Sequence, residues 1–179
     1  MEKKICLLRG INVSGKNKIK MKDLRDHLES SGLQNVSTYI QSGNIVFETR
    51  KKDSSNIAED IRSLISDKYG YDVSCLVIEP EKLEKILAGL PEIIEDGRSS
   101  KKIYFMILDA LPSEDRLSLL KDPKAYEPER FKIIDDVIYY SIPDHISPGK
   151  LNTNLFENKL KVTGTTRNKN TIEKLLDMV

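Results

Sequence analysis

Short apolar runs and helically spaced apolar residues alternate along the chain and predict its secondary structure. Ile5 to Leu8 form a continuous apolar run, which is typical of a buried strand. Met21, Leu24 and Leu28 share the spacing of one face of an amphipathic helix. The first half is thus predicted to contain a strand at 4–9, a helix from Met21 ended by Gly32, strands at 36–41 and 45–49, a second helix and a strand at 73–78. Residues from Asp53 to Asn56 are candidate caps of the second helix, and Asn56 with Glu59 fits a capping box.

The turn between the second and third strands defines the topology of this half. Ser42, Gly43 and Asn44 separate the two strands, and a Gly-Asn pair supplies the positive φ angles that a tight hairpin needs. The order β-α-β-β-α-β is the ferredoxin-like arrangement. A doubly wound parallel sheet is disfavoured, because parallel strands need a much longer crossover connection.

The second half repeats this order of elements, although its residues are not alike. We predict a strand at 102–108, a short helix capped by Ser113, strands at 131–134 and 137–142 around Asp135 and Asp136, helices at 150–160 and 171–178, and a short strand at 160–163. The predicted fold class is α+β, with two ferredoxin-like halves at 1–79 and 102–179 joined by a helical connector at 80–101.

Composition excludes several classes of protein. The chain has 179 residues, of which 39% are hydrophobic, and it contains no apolar run long enough for a membrane span. The apolar run before Arg9 is only four residues long, too short for a signal peptide. Cys6 and Cys75 lie in strand-like runs and are predicted to be buried free thiols. The predicted location is the cytoplasm, with no membrane partner.

Charge is distributed unevenly along a nearly neutral chain. Residues 1–52 hold 11 basic and 5 acidic side chains, residues 53–149 hold 12 and 20, and residues 150–179 hold 6 and 3. The two ends are therefore basic and the middle is acidic. Such a distribution is compatible with a surface that attracts anions. It is also compatible with ion pairs between the basic side chains of the two ends and the acidic side chains of the middle.

Topology predicts that two polar segments meet at one rim of the first half. Strands one and two of a ferredoxin-like unit run parallel, so residues 10–20 and 41–44 leave the sheet at the same end. Ser14 belongs to this predicted rim. A glycine- and amide-rich loop with nearby lysines suits an anion, although the same residues also simply make turns.

Two other segments invite functional readings. Gly10 to Asn17 nearly matches a phosphate-binding loop, but Asn17 replaces the hydroxyl that binds magnesium and the helix begins only near Met21. A nucleotide hydrolase is therefore disfavoured. In residues 163–171, Arg167 and Lys169 lie beside the predicted start of the last helix. This arrangement would suit a bound phosphate or carboxylate. It is equally compatible with a capped helix whose two cations are simply solvated.

No other chemistry is indicated. His27 and His145 have no metal-ligand spacing, and no nucleophile has an evident base, so neither a metal nor a cofactor is predicted. The aromatic residues that single-strand RNA recognition would need are missing from the first strand, and the third holds only Phe47.

The sequence resembles the bacterial family catalogued as domain of unknown function 1697. The resemblance is carried by Leu8-Arg-Gly-Ile-Asn-Val-Ser-Gly-Lys-Asn-Lys-Ile19, by Thr38-Tyr-Ile-Gln-Ser-Gly-Asn-Ile-Val-Phe47, and by Thr165-Thr-Arg-Asn-Lys-Asn-Thr171. Lys169 stands where the family has tryptophan. The resemblance implies paired ferredoxin-like units and indicates where a site lies, but it implies no reaction.

These observations predict a binding protein for an anionic small molecule or a nucleic-acid backbone. An enzyme acting on a phosphorylated or carboxylated metabolite at the same rim is the alternative, and a protein-interaction module is a third. The sequence predicts neither catalytic residues nor an oligomeric state. The predicted ligand-binding residues are Arg9, Asn12, Lys16, Asn17, Lys18, Gln41, Ser42, Asn44, Arg167, Asn168 and Lys169.

Overall fold

Two four-stranded antiparallel sheets organise the chain, one in each of two units. The computed structural model describes residues 1–13 and 15–179. The first unit comprises Met1–Glu84 together with Lys174–Val179, and the second comprises Lys85–Glu173. The division predicted from the sequence, with a connector at 80–101, stays a prediction.

The first unit has the ferredoxin-like topology. Its sheet has the order β2-β3-β1-β4, and every neighbouring pair is antiparallel. Strands β1 and β2 therefore run parallel without being neighbours, as predicted. The elements are β1 (Glu2–Leu8), α1 (Met21–Ser30), β2 (Gln34–Tyr39), β3 (Asn44–Thr49), α2 (Ser54–Tyr69) and β4 (Cys75–Ile78), followed by α3 (Pro80–Ala88), which contains the boundary between the units.

The second unit repeats the same topology. Its sheet has the order β6-β7-β5-β8, again with antiparallel neighbours. The predicted α+β class and the two ferredoxin-like halves are therefore confirmed. The elements are α4 (Glu92–Glu95), β5 (Ile103–Leu108), α5 (Glu114–Ser118), β6 (Arg130–Ile134), β7 (Val137–Ser141), α6 (Thr153–Leu160), β8 (Gly164–Asn168) and α7 (Lys169–Asp177), with short 3-10 turns at Ser100–Lys102 and Pro123–Tyr126.

Each sheet buries one face against the helices of its own unit. In the first unit, Leu24 and Leu28 of α1 and Ile61 of α2 cover Cys6 and Phe47 of the sheet, and all five are at most 2% exposed. In the second unit, Phe156 of α6 packs on Tyr140, which is itself stacked on Tyr104 at 4.9 Å. Burial raises the pKa of the Tyr140 hydroxyl, and the neighbouring Tyr104 adds to this effect.

The starts of three helices agree only in part with the prediction. Asp53, one of the predicted cap candidates at 53–56, accepts hydrogen bonds from the Ser55 and Asn56 N–H groups, at 2.9 and 3.0 Å, and begins α2, whereas Asn56 of the predicted capping box lies inside the helix. Helix α6 begins at Thr153 rather than at residue 150, with Asn152 as its cap. Ser113 precedes α5 but makes no side-chain cap.

The last strand also differs from the prediction. Strand β8 is Gly164–Asn168 rather than 160–163, and it pairs with β5 as an edge strand. Lys161 ends α6 in the left-handed region, at φ 58°. This conformation reverses the chain direction after the helix, and the strand therefore begins after the reversal, at Gly164. A Cβ on Gly164 would lie 2.9 Å from the Ile107 carbonyl oxygen, so only glycine allows β8 to approach β5 this closely.

A buried lysine joins β1 to the residue between β4 and α3. Lys4 is 2% exposed, and its Nζ lies 2.6 Å from Glu79 Oε1 and 3.4 Å from Glu2 Oε2. Burial lowers the pKa of the Lys4 ammonium, but the hydrogen bonds and charges of Glu79 and Glu2 outweigh it and the pKa is raised. Hydrogen bonds from Lys4 and Ser54 lower the pKa of Glu79.

We expect the Glu79→Gln variant to be less stable than the parent protein at neutral pH. The loss in free energy of unfolding should be about 1–3 kcal/mol, because a buried ammonium loses its charged partner. Folding lowers the pKa of the Glu79 carboxyl from its ordinary value of 4.5. The Glu79 carboxylate therefore contributes its full stabilisation of the folded protein above pH 4.5, and this contribution is lost as the pH falls through the folded-state pKa. Urea unfolding at neutral pH and at about pH 3 measures both effects.

Glu81→Gln is the matched control for this prediction. Glu81 is exposed, lies in the first turn of α3, and makes no ion pair within residues 1–13 and 15–179. It should change stability by less than about 0.5 kcal/mol. Equal losses in the two variants, or a Glu79→Gln loss that does not shrink in acid, would contradict the stabilising role of Glu79.

Candidate functional site

The loop that leaves β1 and the turn between β2 and β3 lie against each other. We call residues 10–20 the first loop and residues 40–43 the hairpin turn. The Leu8 N–H donates to the Gly43 carbonyl oxygen at 2.7 Å. Gly43 has φ 76°, and a Cβ there would lie 2.5 Å from Leu8 Cβ, so this approach requires glycine. The two predicted polar segments therefore form one rim of the first unit.

Asn12 connects the two segments through its side chain. Its Nδ2 donates to the Gln41 carbonyl oxygen at 2.9 Å and to the Ile19 carbonyl oxygen at 3.0 Å, while its Oδ1 accepts the Ile19 N–H at 2.9 Å. Both amide hydrogens are thus engaged by the protein. Asn12 was predicted to bind a ligand, and the structure gives its amide a role in fixing the rim.

The first loop is closed by further internal hydrogen bonds. Asn17 adopts φ 46°, donates from Nδ2 to the Gly10 carbonyl oxygen at 3.1 Å, and accepts the Asn12 N–H on its own carbonyl oxygen. The Lys16 N–H donates to the Val13 carbonyl oxygen at 2.9 Å and closes a turn. Ser14, which was predicted to lie on the rim, is outside the described residues.

The cations of the first loop remain available to solvent. Lys16 and Lys18 are exposed, and their ammonium groups make no hydrogen bond or ion pair with any residue that the structure describes. No acidic residue occurs between positions 9 and 20, whereas Arg9 and Lys20 add two further positive charges. Uncompensated positive charge on a hydrogen-bonded loop favours an anionic ligand.

The hairpin turn differs from its prediction in two respects. Positive φ angles occur at Ile40 (50°) and Gly43 (76°), not at a Gly-Asn pair. Asn44 instead begins β3 fully buried, and its Nδ2 donates to the Tyr39 carbonyl oxygen at 3.1 Å and to Ser42 Oγ at 2.9 Å. Gln41 is exposed, while Ser42 and Asn44 hold the turn.

Two apolar residues on the rim were not predicted. Ile40 is 52% exposed and Val13 is 57% exposed, and the hydrogen bond between their neighbours Asn12 and Gln41 brings the two segments together. A β-branched residue with positive φ is strained, and such strain concentrates at functional sites. Isoleucine is not a residue type that favours positive φ, so the residue type of Ile40 gives no sequence signal for this conformation.

The residues of the predicted carboxy-terminal site lie in the second unit and are largely engaged. Arg167 belongs to β8 and donates from Nη1 to the Thr166 carbonyl oxygen at 2.8 Å. Asn168 Oδ1 accepts the Thr171 N–H at 3.0 Å and so caps α7, which begins at Lys169 rather than at residue 171. Lys169 forms ion pairs with Glu95 and Glu173.

The structure also bears on the phosphate-binding loop, the metal ligands, the cysteines and the membrane spans considered from the sequence. Helix α1 begins at Met21, five residues after Lys16, so the first loop lacks the helix that follows the lysine in a phosphate-binding loop. Within residues 1–13 and 15–179, no group of His, Cys, Asp and Glu side chains is arranged to hold a metal ion. Cys6 and Cys75 form no disulfide, and Cys6 is buried as predicted, whereas Cys75 is half-buried rather than buried. None of the described helices combines the length and apolar character needed to cross a membrane.

Comparison with known proteins identifies the family. The family model described as "Protein of unknown function (DUF1697)" matches residues 1–139. The chain belongs to the DUF1697 family. A solved structure, that of the conserved bacterial protein SP0830 from Streptococcus pneumoniae, is similar over 98% of this chain and 97% of that chain, with a TM-score of 0.74 and 26% sequence identity. No curated protein matches the sequence.

The DUF1697 match contains the rim but not the predicted carboxy-terminal site. Arg9, the first loop and the hairpin turn all lie inside residues 1–139, whereas Arg167, Asn168 and Lys169 lie beyond them. The matched part of the chain thus includes the whole rim together with much of the second unit.

We expect Gly43→Ala to destabilise this DUF1697 protein more than Gly10→Ala does. The two glycines have similar φ angles, 76° and 71°, so both substitutions incur the left-handed penalty of about 1–2 kcal/mol. Only at Gly43 would the new Cβ meet Leu8, which adds about 1–3 kcal/mol of overpacking.

Thermal and urea unfolding of the two variants provide the measurement. Gly10 has no atom within 4 Å of its ideal Cβ, and it therefore serves as the matched control. Equal losses of stability at the two positions would show that the close approach of the hairpin turn to β1 does not constrain the rim.

Proposed function

We propose that the rim of the first unit binds a phosphate group, carried either by a small molecule or by a nucleic-acid backbone. The observation that carries the proposal is the pair of exposed lysines, Lys16 and Lys18, on a loop that is closed by hydrogen bonds and contains no acidic residue. Gln41 supplies an exposed amide on the adjoining hairpin turn. The two free cysteines fit the reducing cytoplasm as the place of this function.

Preorganisation supports the proposal. Asn12 and Asn17 use their amides to order the first loop before any ligand arrives, so binding does not have to order it. Glycine and asparagine residues adopt positive φ at positions 10, 12, 15 and 17, and such turns are common in loops that bind anions.

Within the proposal, the predicted site residues of the first loop and the hairpin segment divide into two groups. Lys16, Lys18 and Gln41 would contact the ligand. The residues that would position the loop and turn are Asn12, Asn17, Ser42 and Asn44. Arg167, Asn168 and Lys169 are not part of the proposed site, because Lys169 is paired with carboxylates and Asn168 caps a helix. Arg9 adds charge at the base of the first loop.

Titration of pyrophosphate by calorimetry, and of labelled single-stranded DNA by fluorescence anisotropy, tests the proposal. We expect saturable binding that weakens by about tenfold or more in the double variant Lys16→Gln, Lys18→Gln, because two charge-assisted contacts are lost. The matched control is Lys121→Gln, Lys124→Gln, which removes the same charge from exposed positions of the second unit. This control should leave binding unchanged.

The two probes distinguish the sources of the phosphate group. Tight binding of pyrophosphate with a shallow salt dependence indicates a small ligand, whereas binding of DNA alone with a steep salt dependence indicates a nucleic-acid backbone. Binding of neither probe, or equal weakening in the rim variant and its control, would exclude a phosphate site at the rim.

A further inference from the structure

Two exposed aliphatic side chains accompany the cations of the rim. Val13 belongs to the first loop and Ile40 to the hairpin turn, and more than half of each side chain is exposed to solvent. The Asn12 amide donates to the Gln41 carbonyl oxygen at 2.9 Å, so the residue after Asn12 and the residue before Gln41 are held on adjoining segments. The rim therefore presents apolar surface as well as positive charge.

Ile40 is an unfavourable residue for the conformation that it adopts. Its φ is 50°, in the left-handed region, where a β-branched side chain is strained and where glycine or asparagine would not be. An exposed isoleucine gains little from the protein core in return for this strain. Strained residues of this kind cluster where a protein contacts its ligands.

The charge beside Ile40 and Val13 defines the chemistry of the partner. Lys16, Lys18 and Lys20 are all exposed, and no acidic residue occurs between positions 9 and 20. Positive charge that recurs along one loop is complementary to negative charge that recurs along a polymer. A partner with repeated phosphates fits this loop better than an uncharged apolar one.

We infer that the rim binds single-stranded nucleic acid, with its phosphates on Lys16 and Lys18 and with a base or sugar packed against Ile40 and Val13. This inference rests on the proposed phosphate site and names the ligand of that site. Isoleucine is among the apolar side chains that proteins insert between bases. The insertion costs least where the bases are already unpaired, which favours a single strand over a duplex.

The inferred contact lies at the end of the sheet rather than on its face. Strand β1 carries no aromatic residue, and Phe47 of β3 is fully buried in the core. The face of this sheet therefore lacks the aromatic pair on which many ferredoxin-like domains stack RNA bases. The aliphatic side chains of the rim offer apolar contact to a base at a different place on the same fold.

Fluorescence anisotropy of the full chain tests this inference with a labelled oligothymidylate of about fifteen nucleotides, a length that spans one small binding surface. Linear polyphosphate of the same total charge, which has no bases, is the competitor. We expect saturable binding of oligothymidylate that weakens as salt rises, and an affinity for polyphosphate that is lower by about tenfold or more, because the apolar contact is missing. A DNA duplex of the same length should bind more weakly than the single strand.

Ile40→Asn separates the apolar contact from the charges. It should weaken oligothymidylate binding by about fivefold to tenfold, because the area of isoleucine that a base covers is lost, and it should leave the affinity for polyphosphate unchanged. Asparagine tolerates positive φ, so the melting temperature of the variant should equal or exceed that of the parent. A purely structural role of Ile40 would not give weaker binding together with undiminished stability.

Ile93→Asn is the matched control. Ile93 is 58% exposed, against 52% for Ile40, and it lies in α4 of the second unit. The same change of side chain is thus made away from the rim, at a residue without positive φ. This variant should bind oligothymidylate as the parent does.

The outcomes separate this inference from the proposed function. The inference is overturned, while the phosphate site stands, if polyphosphate, duplex DNA or thymidine diphosphate binds as tightly as oligothymidylate. Ile40→Asn binding equal to that of the parent, or an equal loss in Ile93→Asn, would overturn it in the same way. If neither oligothymidylate nor polyphosphate binds, the inference and the phosphate site both fail.

Discussion

The hydrogen bond from the Leu8 N–H to the Gly43 carbonyl oxygen determines what the first unit can present at its rim. It joins the exit of β1 to the exit of β2, and Gly43 allows this contact because a side chain there would collide with Leu8. Asn12 then ties the first loop to the same turn through Gln41. The exposed lysines are thus carried by a loop whose position is set by main-chain packing.

The second unit contains the same backbone contact with opposite chemistry. The Leu108 N–H donates to the Asp136 carbonyl oxygen at 2.8 Å, in the position that Leu8 and Gly43 occupy in the first unit. The surrounding residues are acidic rather than basic, with Asp109 after β5 and Asp135 in the hairpin. The repeated topology therefore supplies a frame for two loops, and the residues on those loops give them opposite charge.

The predictability of each element follows from how much apolar surface it buries. Strand β1 and helix α1 carry clear apolar patterns and lie close to their predicted positions. Strand β8, with the sequence Gly-Thr-Thr-Arg-Asn, has no such pattern, because it is held by pairing with β5 and by the close approach of Gly164. The starts of α6 and α7 were misplaced because caps such as Asn152 and Asn168 are chosen by local hydrogen bonds that hydrophobic spacing does not reveal.

Topology made the rim predictable, but residue type could not assign the roles within it. Asparagine, glutamine and lysine all indicate a polar segment, yet the Asn12 and Asn44 amides are consumed by the protein whereas the Lys16 and Lys18 ammonium groups remain in solvent. The difference lies in partners that come from distant positions in the chain. Asparagines that order the loop and lysines that are left uncompensated are complementary, because an ordered loop lowers the entropy cost of binding at the charges it carries.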